Sequence, residues 1–157
     1  YPFAVENEWY RGKAEIASFE PEELFGTKLR ALLQRRASRD LFDLHQGLEQ
    51  LTLAAEKVIA CFDHYLALEG KLIMRAIAEQ RMLEKLARSL TEDINPLLPV
   101  GVRFAEADAI HAFERVWIEL IEQIGGEAWK LTEPALEELR VKNFPGLLTL
   151  RNPLRRA

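Results

Sequence analysis

One cysteine in 157 residues leaves no internal disulfide to staple the chain, so its stability must come from packing. That residue, Cys61, sits at helical spacing from Val58, Phe62 and Tyr65, which reads as a buried thiol in a reducing compartment. No apolar run approaches the length of about 18 residues that a membrane helix needs, and neither a signal-peptide core nor a transit-peptide composition is present. A cytoplasmic protein with no membrane partner is the expectation.

Catalytic signatures are also sparse. There is no glycine-rich phosphate loop, no Gly-x-Ser-x-Gly elbow, no Cys-x-x-Cys and no His-x-x-x-His pair, which sets aside P-loop, hydrolase, thiol-redox and zincin chemistry. The three histidines, His45, His64 and His111, are far apart in sequence and read as surface or half-buried helix positions. No repeat period is visible. A net charge of -4 and a pI near 5.5 provide no general attraction for nucleic acid. Basic character is local, in Lys28 to Arg39 and in the tail residues Arg151, Arg155 and Arg156, the latter read as solvated.

What is present is enough apolar residue, 48%, for one domain with a real core. The opening Tyr1-Pro2-Phe3-Ala4-Val5 reads like mid-domain sequence, so the chain is expected to be a fragment. Alternation over 13–19, bounded by Gly12 and Pro21, predicts one strand. Pro21 suits a first helical position, with Glu22 and Glu23 complementing the helix dipole, and that helix should run to about Arg36. Ser38 reads as the N-cap of a second helix to about Gln50. Thr52 reads as the cap of a third that stops at Gly70, and a fourth spans about Leu72 to Ala87. Pro96 and Pro99 mark a loop. Ala107, Ile110, Phe113, Trp117, Leu120 and Ile124 keep the period of a buried helical face ending at Gly125-Gly126, with Phe104 also expected in the core. Thr132 and Pro134 open a short sixth helix to about Arg140. The fold class is therefore mainly α: an array or bundle of about six helices over 21–157, with a short β-strand element within 1–20.

Chemistry shows through in one stretch, 27–44. Leu24, Lys28, Ala31, Leu32 and Arg35 share a helical stripe, which sets a lysine on a partly apolar face where it needs a partner. Asp40 and Asp43, three residues apart on the next helix, face back toward it. Lysine, arginines and aspartates together suit phosphate chemistry: a compact cation for a triphosphate, forked clamps for oxygens, and an acid to orient a nucleophile or hold a cation. The competing reading is local: an Arg39–Asp43 pair at i, i+4, Asp40 acting on its own helix N-terminus, and solvated arginines.

The wording of the stretch goes further than its charges. Glu22-Glu23-Leu24-Phe25-Gly26-Thr27-Lys28-Leu29-Arg30-Ala31-Leu32, followed by Gln34-Arg35 and Arg39-Asp40-Leu41-Phe42-Asp43-Leu44, resembles the third motif of the AbiEii/AbiGii-type toxin nucleotidyltransferases. Upstream, Asn7-Glu8-Trp9 and Gly12-Lys13-Ala14-Glu15-Ile16 resemble the last strand of that family's core; downstream, Asp93-Ile94, Pro96-Leu97-Leu98-Pro99 and Gly125-Gly126 with Trp129 resemble its helical half.

The resemblance implies a toxin of an abortive-infection or type IV toxin–antitoxin pair that moves a nucleotidyl group from a magnesium-bound nucleoside triphosphate to an acceptor, which in some relatives is the tRNA 3′ end. It implies catalytic roles for Lys28, at the triphosphate, and for Asp40 or Asp43, and nucleotide binding by Lys28, Arg35 and Arg39. It also implies an antitoxin partner. The family's Gly-Ser and Asp-x-Asp motifs, the latter holding Mg2+, do not occur before Lys28. The chain by itself is therefore expected to be inactive, with no metal ligands of its own. The alternative is a stand-alone helical protein-interaction module without catalysis.

Overall fold

A computed structural model describes residues 2–15, 17–86 and 90–130. Strands β1 (Pro2–Glu6) and β2 (Arg11–Glu15) form an antiparallel hairpin in which Pro2 faces Glu15 and Glu6 faces Arg11. Asn7 closes the turn, its side-chain oxygen accepting the backbone N–H groups of Trp9 (2.9 Å) and Tyr10 (2.8 Å), an Asx turn. The strand expected over 13–19 thus begins earlier, at Arg11, and is described only to Glu15; residues 17–20 are not strand. Its partner β1 gave no alternation to read, because the hairpin is solvated, with Phe3, Trp9 and Tyr10 all exposed.

Among the described residues five α-helices follow: α1 (Pro21–Gln34), α2 (Arg39–Gln50), α3 (Ala55–Leu68), α4 (Arg75–Leu86) and α5 (Glu106–Glu119). The mainly helical fold with a short N-terminal β element matches the sequence reading, which has one strand where there are two. Pro21 does occupy the first turn of α1. Gly70 ends α3 at φ +65°, with its N–H bonded to Ala67 and that of Lys71 to Leu66, the paired bonds of a Schellman close. The helix read over 132–140 and the tail arginines lie outside the described residues.

Some ends moved. Ala54, not Thr52, precedes α3. Helix α4 starts at Arg75 because Ile73 turns into the core while Leu72 stays exposed. Helix α5 stops at Glu119 and a 3-10 turn, Ile121–Gln123, carries Ile121 and Ile124 inward. Trp117, Phe113 and Phe104 are buried as the periodicity required, whereas Cys61 is only half-buried.

The core runs through all five helices. Helices α1 and α3 pack closely because Gly26 removes a side chain from the seam: a Cβ there would stand 2.7 Å from Cys61 Cβ and 2.9 Å from the α3 backbone. Gly47 on α2 makes room for the Phe25 ring in the same way. Asn95 closes the proline-containing loop by accepting the Phe104 N–H (2.8 Å) and donating to the Phe104 carbonyl (3.1 Å). Phe104 then meets Phe42 edge to face at 5.2 Å, which fixes the loop against α2.

A candidate phosphate-handling pocket between α1, α2 and the 94–98 loop

The residues singled out in the sequence converge. Lys28, Arg35, Arg39, Asp40 and Asp43 line one pocket of about 240 Å³, closed on its far side by Phe42, Ile94, Leu97 and Leu98. Lys28 Nζ donates to Asp43 Oδ2 at 2.6 Å and lies 3.7 Å from Asp40 Oδ1. Arg35 Nη1 lies 3.7 Å from Asp40 Oδ2. Asp40 is buried, its side chain 3% exposed, whereas Lys28 is 34% and Asp43 45% exposed. The acid between the two cations is thus fixed in the interior, and the lysine and the outer acid face solvent.

The local pairing anticipated for Arg39 with Asp43 is replaced by Lys28 with Asp43, a contact across the α1–α2 hinge. Ser38 stands at the N-cap position of α2 but makes no side-chain cap bond; its backbone N–H donates instead to Asp93 Oδ2 at 3.0 Å. Sequence reasoning missed how that hinge is held. Lys85 on α4, 4% exposed, donates to the carbonyls of Arg35 (2.7 Å) and Ala37 (3.0 Å), and Arg81 donates to the Leu33 carbonyl (3.1 Å). These cations satisfy carbonyls of the last turn and C-cap of α1, Leu33 and Arg35, and of the hinge beyond it, Ala37. They thereby set the angle at which Lys28 meets Asp40 and Asp43. A lysine late in an amphipathic helix was the only sequence signal for this, and many solvated lysines share it.

A second grouping also escaped the sequence. His45 on α2 and His111 on α5 meet edge to face at 5.5 Å, although 66 positions separate them, while His64 lies elsewhere, against Tyr65. Burial, then the charges of His111 and Arg115, holds the His45 imidazole below its usual pKa.

Cations and acids converging on a small pocket are the equipment of proteins that handle phosphate groups. Comparison with known families is a separate finding: a model described as "Nucleotidyl transferase AbiEii toxin, Type IV TA system" matches residues 1–122, and the chain belongs to that family. No curated protein and no solved structure matches it. Among the described residues, no helix is long and apolar enough to cross a membrane.

Mg2+, which nucleotidyl transfer calls for, does not fit the acids of this pocket. Asp40 and Asp43 both lie within 4 Å of one ammonium, that of Lys28, which thus already takes the place next to both acids that a dication shared by them would need.

Proposed function

We propose that this chain is the helical part of a toxin-type nucleotidyltransferase and that the 27–44 pocket receives the triphosphate of a nucleoside triphosphate. The observation that carries the proposal is the convergence of Lys28, Arg35, Arg39, Asp40 and Asp43, which come from two helices and a hinge, on one small pocket. At about 240 Å³ it lies below the range of about 300–1,000 Å³ typical of pockets that enclose a whole drug-sized ligand, and suits a phosphate chain with the nucleoside outside.

In this reading Lys28 exchanges Asp43 for a phosphate oxygen. The exchange costs little, because a half-exposed ion pair contributes only about 0–1 kcal/mol. Arg35 and Arg39 supply forked donors at the rim. Asp40 stays in place and keeps Lys28 and Arg35 aimed at the pocket, while Asp43, freed by the exchange, is the acid available to orient an acceptor hydroxyl. Mg2+ belongs to the complete enzyme with ligands from outside this chain, so the chain by itself does not transfer. An acceptor such as a tRNA 3′ end has an approach with two arginines at its mouth: a groove of about 540 Å³, whose lining includes Arg35, Arg36 and the acid Glu84, adjoins the pocket through Arg35. A cognate antitoxin is the protein partner that the family implies.

A second reading, a helical interaction module without catalysis, is favoured by one observation: Lys28 already donates to Asp43 and lies within ion-pair distance of Asp40. The two part on one experiment. The intact gene product, given Mg2+, labelled nucleoside triphosphates and bulk tRNA, should label the RNA, and Lys28→Ala should abolish the labelling. Labelling that persists in Lys28→Ala removes the lysine from the mechanism, and no labelling of RNA or protein with any of the four triphosphates favours the module.

A further inference from the structure

The face of α2 turned away from the pocket carries its own donor set. His45 and Glu49, one helical turn apart, share a face, and His111 on α5 completes the group, with one ligand atom from each lying within 4.8 Å of the others. We propose that His45, Glu49 and His111 bind a borderline divalent cation, with Zn2+ as the ion of choice, and that the bound ion clips α2 to α5.

Three observations carry this. First, the donor chemistry is that of zinc: two imidazoles and one carboxylate, the three-ligand set that leaves a fourth tetrahedral position for water or an incoming group. Hard cations such as Mg2+ and Ca2+ prefer sites made wholly of oxygen and are poorly served by two nitrogens. Second, His45 is 9% exposed and its Nδ1 is buried with no hydrogen-bond partner among the described residues. A bare ring nitrogen in the interior is costly, and a bond from that nitrogen to a bound cation would remove the cost.

Third, exposure is distributed as a binding site requires. A tetrahedral site with bonds of about 2.0–2.1 Å needs ligand atoms roughly 3.3 Å apart. The buried His45 is fixed, while His111 and Glu49 are exposed and can rotate inward by the difference. Arg115 is the competing charge, since it donates to Glu49 Oε1. It is also held by Glu119 (2.6 Å) and by the Leu48 carbonyl (2.8 Å), so it stays anchored when Glu49 turns its other oxygen to a cation.

The proposal is independent of nucleotide chemistry, and so is its test. Metal-free, untagged protein is titrated with Zn2+ alone by calorimetry and with Co2+ by absorption spectroscopy. One equivalent should bind per chain, Co2+ should give the visible bands of a tetrahedral site, and Zn2+ should raise the melting temperature. Because His111 and Glu49 are exposed, His111→Ala and Glu49→Gln should fold normally, lose the cobalt bands, and weaken Zn2+ binding at least about tenfold. His64→Ala should behave as the parent. Absence of saturable binding overturns the site. Equal binding by parent and His111→Ala, or equal losses in His111→Ala and His64→Ala, overturns it too, by showing only scattered surface histidines.

Discussion

Lys28 and Lys85 are both cations set among leucines, yet their partners are of different kinds. Lys85 is buried and spent on the backbone, its ammonium fixed between two carbonyls of the α1–α2 hinge. Lys28 is one-third exposed, and its partners are carboxylates whose place a phosphate can take. A charge on an apolar stripe is therefore not a functional signal in itself. What distinguishes the two is the kind of partner and the access of solvent, and neither is written in the spacing of residues.

The largest effect should come from Lys85→Met. It leaves two carbonyls without their charged donor and should destabilise the fold by about 3 kcal/mol in chemical denaturation. If the loss is below about 1 kcal/mol, Lys85 does not hold the hinge and the contrast collapses. Next is Gly26→Ala, two residues before Lys28 on the scaffold side of the motif. The added methyl meets α3 backbone that cannot move alone, so about 1–3 kcal/mol should be lost.

Lys28→Ala should do the reverse of Lys85→Met. Stability should change by less than about 1 kcal/mol, because the pair is half-exposed, while triphosphate binding suffers. The smallest effect concerns Cys61 at the same α1–α3 seam. Burial, then Glu23 and Glu22, raises its thiol above the ordinary value of 9.0. The reactive thiolate is accordingly scarcer at any given pH than in a free cysteine, and alkylation followed by mass spectrometry should be slower at pH 7 than that of a free cysteine and should rise steadily with pH. Rapid labelling at pH 7 would mean that the seam opens.

Much of this was legible in the sequence. Helices announced themselves wherever a buried stripe was long, as in α5, or punctuated, as by Pro21 and Gly70. The membership of the pocket could be read because its wording is specific to a family, and all five singled-out residues do line it. Their partners could not. Whether Asp43 meets Arg39 or Lys28 depends on the angle between two helices, and Lys85, Arg81 and Asp93 set that angle from about 50 residues downstream. The hairpin's first strand was invisible because a solvated strand carries no alternation. The His45–His111 contact was invisible because only the packing of α2 on α5 creates it.

The central claim is that Lys28 is kept available for phosphate while Lys85 is committed to the fold. The most direct measurement is a titration of the intact gene product with a fluorescent nucleoside triphosphate in the presence of Mg2+, with melting curves recorded on the same samples. Lys28→Ala should bind about tenfold or more weakly with an unchanged melting temperature. Unchanged affinity, or a loss of affinity that merely follows a loss of fold, would contradict the account.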